Sequence, residues 1–173
     1  MTARKVLIWP DPVLTQASKP VEKIDASIKA LVQDLIDSME YEGNSAGLAA
    51  PQIGVPLRVF VVNIPPEHND GNGTDGFEAF INPEFILKEG QFEWEERCMS
   101  IPGESGRVKR AYRVIMRYTD IRGALQEREA FDYLGGCFQH ESDHLDGKLW
   151  IDYQSSLKKE LVRKKMQKLR AAS

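Results

Sequence analysis

His140-Glu141-Ser142-Asp143-His144 is the stretch that most restricts how this chain can fold. Histidines at positions i and i+4 share a face on a helix, where both imidazoles can reach one metal ion. Glu141 then lies one residue round the helix, close enough to exchange a proton with a water polarised by that ion. The segment from Tyr133 to Asp146 places Leu134, Cys137, Phe138 and Leu145 on one broad apolar face. It therefore reads as a helix despite Gly135 and Gly136, with Gly147 ending it.

The clearest other helix runs from Asp25 to Tyr41, where Ile28, Leu31, Val32, Leu35, Ile36 and Met39 recur at helical spacing. Asp25 can accept hydrogen bonds from the free amides of the first turn, and Gly43 suits a left-handed exit. Strands are expected at Arg58–Ile64, Ala79–Ile81, Ile86–Lys88, Phe92–Arg97, Tyr112–Tyr118 and Leu125–Phe131, the last two joined by a turn over 119–123. Residues 65–76 read as a surface loop in which His68 is solvated. Leu157 to Arg170, within a C-terminal helix of about 157–171, puts Leu157, Leu161, Val162, Met166 and Leu169 on one side. This order predicts an α+β fold: antiparallel strands in small sheets packed around the central histidine-bearing helix, with a C-terminal helix. A chain of 173 residues suits one domain spanning 1–173.

Composition narrows the classes further. Apolar residues make up 42% and charged residues 28%, which is ordinary globular usage and argues against a disordered chain. The apolar runs, such as Val59–Val62, are far short of the roughly 20 residues that span a bilayer. The N-terminal apolar stretch stops at Pro10-Asp11-Pro12, too soon for a signal peptide, so a cytoplasmic location without membrane contact is expected. Residues 158–173 hold Lys158, Lys159, Arg163, Lys164, Lys165, Lys168 and Arg170 against Glu160 alone, a net of +6. The whole chain carries −3, so the remainder carries −9, an acidic body with a basic tail.

Two histidines do not complete a catalytic metal site, which usually takes three protein ligands and one open position. The pattern HExxHxxGxxH would place the third at residue 150, but that position is tryptophan. A downstream carboxylate, Asp152 or Glu160, would make a metalloprotease-like set. The upstream alternative is Cys98, whose thiolate is a strong ligand. A small-residue segment, Ser45-Ala46-Gly47-Leu48-Ala49-Ala50-Pro51-Gln52, could lie close to a ligand and present the Gln52 amide.

Three segments together resemble the peptide deformylase family, in the family's order. They are Gly47-Leu48-Ala49-Ala50-Pro51-Gln52, Glu96-Arg97-Cys98-Met99-Ser100 and Gln139-His140-Glu141-Ser142-Asp143-His144-Leu145-Asp146-Gly147. The resemblance implies a hydrolase that removes the formyl group from the N-terminal formyl-methionine of new polypeptides, acting on nascent chains as a monomer. It implies one divalent metal on Cys98, His140 and His144, Fe²⁺ in cells, with Ni²⁺, Co²⁺ or Zn²⁺ able to occupy the site. Glu141 would be general base and then acid, with the Gln52 side-chain amide and the Met99 backbone N–H stabilising the oxyanion.

By position, the substrate would meet Ala46, Gly47, Trp94, Glu96, Arg97, Tyr133, Gly136 and Cys137, while Arg110 would hold Glu96 or Asp143 from behind. Trp94 and Gly136 are unusual for the family, and a large-for-small exchange between them would preserve volume. Ser45 and Arg97 stand where the motifs usually have glycine. Arg97 projects outward, crowds the cleft or takes up an unusual φ. Three functions follow: an active deformylase, a non-catalytic or weakly active formyl-peptide binder, and an HExxH metalloprotease. The basic C-terminal helix adds ribosomal RNA as a partner, since basic C-terminal helices in the family can dock there.

Overall fold

The structure, a computed structural model, describes residues 3–43, 45–68 and 71–173, and the reading of His68 as a solvated side chain lies outside what is described. The first helix, α1 (Ala26–Glu42), starts where Asp25 accepts from Ser27 N and Ile28 N, at 3.0 and 3.3 Å. It ends where the Gly43 N–H donates to Met39 O in a left-handed cap. Both caps and the buried stripe Ile28, Leu31, Val32, Leu35 and Met39 match the expected periodicity.

Five strands form one antiparallel sheet in the order β1 (Gly47–Ala49), β2 (Val59–Val62), β3 (Glu78–Glu89), β6 (Arg113–Thr119), β7 (Leu125–Phe131). A separate ribbon pairs β4 (Phe92–Glu96) with β5 (Gly106–Arg110). The helix α2 (Asp132–Leu145) and, after a 3₁₀ turn at Trp150–Tyr153, the helix α3 (Ser156–Ala171) complete the chain.

The sheet separates two cores. Alternate residues of β2 point to opposite faces: Val59 and Val61 join the α1 core, while Phe60 and Val62 join a cluster around Phe138 of α2. A strand covered on both faces reads as a continuous apolar run, as β2 does. On the α2 side the rings of Phe60, Phe80 and Phe138 pack with centroids 4.8–6.2 Å apart. α2 is thus central, as expected.

Three details differ from the sequence reading. The two short strands expected at 79–81 and 86–88 are one strand, β3, with register shifts between Ile81 and Glu84 and between Phe85 and Leu87. At the first shift Asn82 adopts φ +51, and its amide makes two 2.8 Å bonds to the backbone of Val21. β1 and β5 were not expected. On α3, only Val162 and Met166 are buried, against Trp9, Leu14 and Trp150, whereas Leu157, Leu161 and Leu169 are exposed.

The N-terminal arm holds the site segments from outside. Leu7 N donates to Gln52 O at 2.8 Å and Trp9 N to Ser100 O at 2.9 Å. Arg58 fixes the end of α2 through Leu145 O at 2.9 Å and Asp146 at 3.0 Å.

Candidate active site

α2 contains two consecutive glycines, a poor local choice for a helix. Tertiary packing decides instead, because nearly every residue from Leu134 to Leu145 is buried. His140 and His144 stand one turn apart, with ring centroids 5.1 Å from each other. Cys98, just beyond β4, brings its Sγ to 3.4 Å from His144 Nε2. The donor atoms of Cys98, His140 and His144 all lie within 4.8 Å of one another.

The histidines are oriented from behind. His140 Nδ1 lies 2.6 Å from Glu96 Oε1, leaving the other ring nitrogen for Cys98. Glu96 also accepts from Arg110 Nε at 2.7 Å, Arg110 Nη2 at 2.9 Å and Trp94 Nε1 at 2.8 Å. Arg110 Nη1 reaches Asp143 Oδ2 at 2.6 Å, which also accepts from Tyr153 OH at 2.8 Å. Arg110 therefore holds both carboxylates at once.

Burial pushes the Glu96 carboxyl up, but the bonds from His140 and Arg110 outweigh it and hold the group down at about 2. Burial would lower His140, yet Cys98 and Glu96 raise it well above the usual histidine range. Burial drives His144 the other way, well below that range.

Glu141 faces the same space. Its side chain is buried, and its Oε1 has no partner among the described residues. Burial pushes its carboxyl up to about 7, against the attraction of His140. Its Oε2 lies 2.7 Å from where a Cβ on Gly47 would stand, so β1 can approach α2 this closely only as glycine. Gln52 sits opposite. Its Oε1 accepts from Ala49 N at 3.0 Å, which turns Nε2 toward Cys98 Sγ (3.4 Å) and Ser100 Oγ (3.1 Å).

These groups border a cavity of about 670 Å³. Ala46, Gly47, Trp94, Glu96, Arg97, Met99, Tyr133 and Cys137 line it, together with Gln52, Cys98, His140 and Glu141. Burial pushes the Tyr133 phenol and the Cys137 thiol up, so both stay neutral walls. Gly136, expected in the lining, is not part of it and backs onto the Trp94 ring instead. Arg97 is an exposed part of the wall, and its φ is not positive: among the described residues only Asn82 and Asp132 are non-glycines with positive φ. Its substitution for glycine is therefore accommodated without left-handed strain.

Sequence reasoning missed Ser100 as the hydroxyl beside Gln52 and Tyr153 as a support for Asp143. Ser100 was within reach, since it closes the Cys98 motif; nothing local marked Tyr153.

The donor set suits a cation. One thiolate and two imidazoles are a combination favoured by Fe²⁺, Co²⁺, Ni²⁺ and Zn²⁺ rather than by Mg²⁺ or Ca²⁺. The converging atoms, the carboxylate behind His140 and the unpartnered Glu141 oxygen fit a single ion with an open position beside a carboxyl group.

The model of the polypeptide deformylase family matches residues 3–160. A peptide deformylase of Mesorhizobium japonicum is 43% identical over 170 residues, covering 98% of this chain and 94% of that protein. One from Bradyrhizobium sp. (strain ORS 278) is 41% identical over 169 residues, covering 97% and 96%. Among solved structures, a peptide deformylase from Legionella pneumophila aligns with a TM-score of 0.86 at 39% identity, covering 98% of this chain and 96% of that one. The peptide deformylase of Ehrlichia chaffeensis in complex with actinonin aligns with a TM-score of 0.90 at 33% identity, covering 97% and 98%.

Proposed function

The chain belongs to the polypeptide deformylase family, and from that premise we propose that its cavity hydrolyses the formyl amide of N-formyl-methionyl peptides through the residues gathered around Glu141. The carrying observation is the convergence of Cys98, His140 and His144 beside a buried carboxylate whose Oε1 has no partner among the described residues.

Cys98, His140 and His144 would hold a divalent cation, Fe²⁺ in cells with Ni²⁺, Co²⁺ or Zn²⁺ as substitutes; when bound, it supplies Lewis acidity to the formyl oxygen and the attacking water. Glu141 takes a proton from that water as it attacks the formyl carbon. Gln52 Nε2 and the Met99 N–H donate to the oxygen that becomes negative. Glu141 then returns the proton to the amine nitrogen as the C–N bond breaks, releasing formate and a free N-terminus. Ala46, Trp94, Tyr133 and Cys137 enclose the methionine side chain, with Gly47, Glu96 and Arg97 completing the wall. Arg110 and Asp143 keep Glu96 and α2 in register.

Formate release from formyl-Met-Ala after oxygen-free purification tests this reading. It is expected to be metal-dependent and abolished by a chelator. Binding without formate release would instead support a formyl-peptide binder, and internal cleavage of unformylated peptides a metalloprotease. The geometry favours deformylation over the latter, because the third donor is Cys98 rather than a downstream carboxylate.

The chain is read as one domain acting in the cytoplasm as a monomer, and among the described residues no helix is long and apolar enough to cross a membrane. Exposed Lys164, Lys165, Lys168 and Arg170 on α3 support ribosomal RNA as a contact. Co-sedimentation with ribosomes is then expected to fall about tenfold or more between 50 and 200 mM salt. Salt-insensitive binding, or binding unchanged after deleting residues 158–173, would remove α3 from this role.

A further inference from the structure

Trp94 and Glu96 are two residues apart on β4, so their side chains stand on the same face of the ribbon. The indole is half-buried and lines the cavity, meeting Tyr133 edge-on at a centroid distance of 5.1 Å and an angle of 90°. Its N–H points away from that wall and donates to Glu96 Oε2 at 2.8 Å.

The Glu96 bonds account for all of its acceptor capacity. An ionised carboxylate has about four lone-pair positions. On Oε1 they are taken by Arg110 Nη2 and His140 Nδ1, and on Oε2 by Arg110 Nε and Trp94 Nε1. The Glu96 side chain is only 1% exposed, so water does not readily replace a lost donor. Glu96 is thus pinned from three directions, one of which is a wall of the cavity.

Gly136 explains how the indole reaches this position. A Cβ there would stand 2.7 Å from Trp94 Cζ2, 3.0 Å from Trp94 Cε2 and 3.0 Å from Phe92 Cζ. Any side chain at 136 displaces the indole from α2, and with it the N–H from Glu96.

We propose that Trp94 is a positioning residue: seated against Gly136, it uses its indole N–H to fix Glu96, and through Glu96 the ring of His140, so that the wall contacted by the substrate side chain is mechanically joined to a metal donor. This deepens the metallohydrolase reading and rests on it. A side chain entering the cavity presses on the same ring that holds Glu96, which ties occupancy of the cavity to the alignment of His140.

The test measures Co²⁺ affinity by chelator competition, the visible absorption of the Co²⁺-loaded protein, and formate release. W94F keeps an aromatic wall and removes the donor. It is expected to bind Co²⁺ about tenfold more weakly, with a shifted absorption band, because loss of a partner behind a ligand typically costs about 10–100-fold and this one acts through one further bond. G136A keeps the donor but displaces it, and is expected to produce the same shift. The phenyl ring of W94F lacks the indole edge that meets residue 136, so the double variant should lie within about twofold of W94F alone. Wild-type affinity and an unshifted band in W94F, with the wild-type protein active, would overturn the proposal and leave the deformylase reading standing. A wild-type protein that binds Co²⁺ but releases no formate would instead overturn that reading.

Discussion

Replacing Glu141 by alanine or glutamine is expected to lower formate release by at least about a thousandfold, within the range in which a positioned general base contributes. One metal ion per chain should remain, because Cys98, His140 and His144 are untouched. The size of the effect follows from the surroundings. Glu141 is 5% exposed, burial pushes its carboxyl to about 7, and its Oε1 has no protein partner among the described residues. The two carboxylates of the adjoining network are committed elsewhere: Glu96 is saturated by Arg110, Trp94 and His140, and Asp143 is held by Arg110 and Tyr153. Glutamine fills the same volume beside Gly47 and isolates the loss of the base from any change in packing. Metal analysis and formate release on the same sample check the result, and near-normal turnover in either variant would refute the role.

Cys98→Ser should act one step earlier. A serine hydroxyl stays protonated where a thiolate ligates, and its shorter side chain does not close the gap to the two imidazoles. Metal affinity is expected to fall by more than about 100-fold, beyond the cost of losing a partner behind a ligand, and formate release should fall with it. The folded state should persist, since Cys98 sits at the margin of its apolar cluster rather than at its centre. Metal content after dialysis, alongside circular dichroism, is the measurement. A fully loaded and active C98S protein would point to a different third ligand and revive the metalloprotease set.

Much of this site was legible because its chemistry is carried by short segments. The pair His140 and His144 needs only helical spacing, and Gln52 and Cys98 stand in compact motifs. The α1 stripe and its caps were equally local. What escaped the sequence depends on contacts between distant segments. Arg110 meets Glu96 because β4 and β5 pair, and β5 was hidden among alternating basic residues. β3 was split by Asn82-Pro83, where a local break signal lost to tertiary bonds from Val21. The match of Trp94 to Gly136 joins a ribbon to a helix across a gap that no pattern of spacing reports. On α3, periodicity identified the apolar residues, but the body covers only two of them.

The separation of the ribbon from the main sheet has a consequence for how the protein matures. Cys98 and His144 are 46 residues apart in sequence, and one follows β4 while the other ends α2. Before the ribbon docks, a chain with α2 formed offers a cation two of the three donors. Tight capture must wait for the long-range closure that brings Cys98 to the two imidazoles. The rate of metal uptake during refolding therefore times that closure. A cation held by the three donors would act as a latch, favouring the docked arrangement by binding it alone.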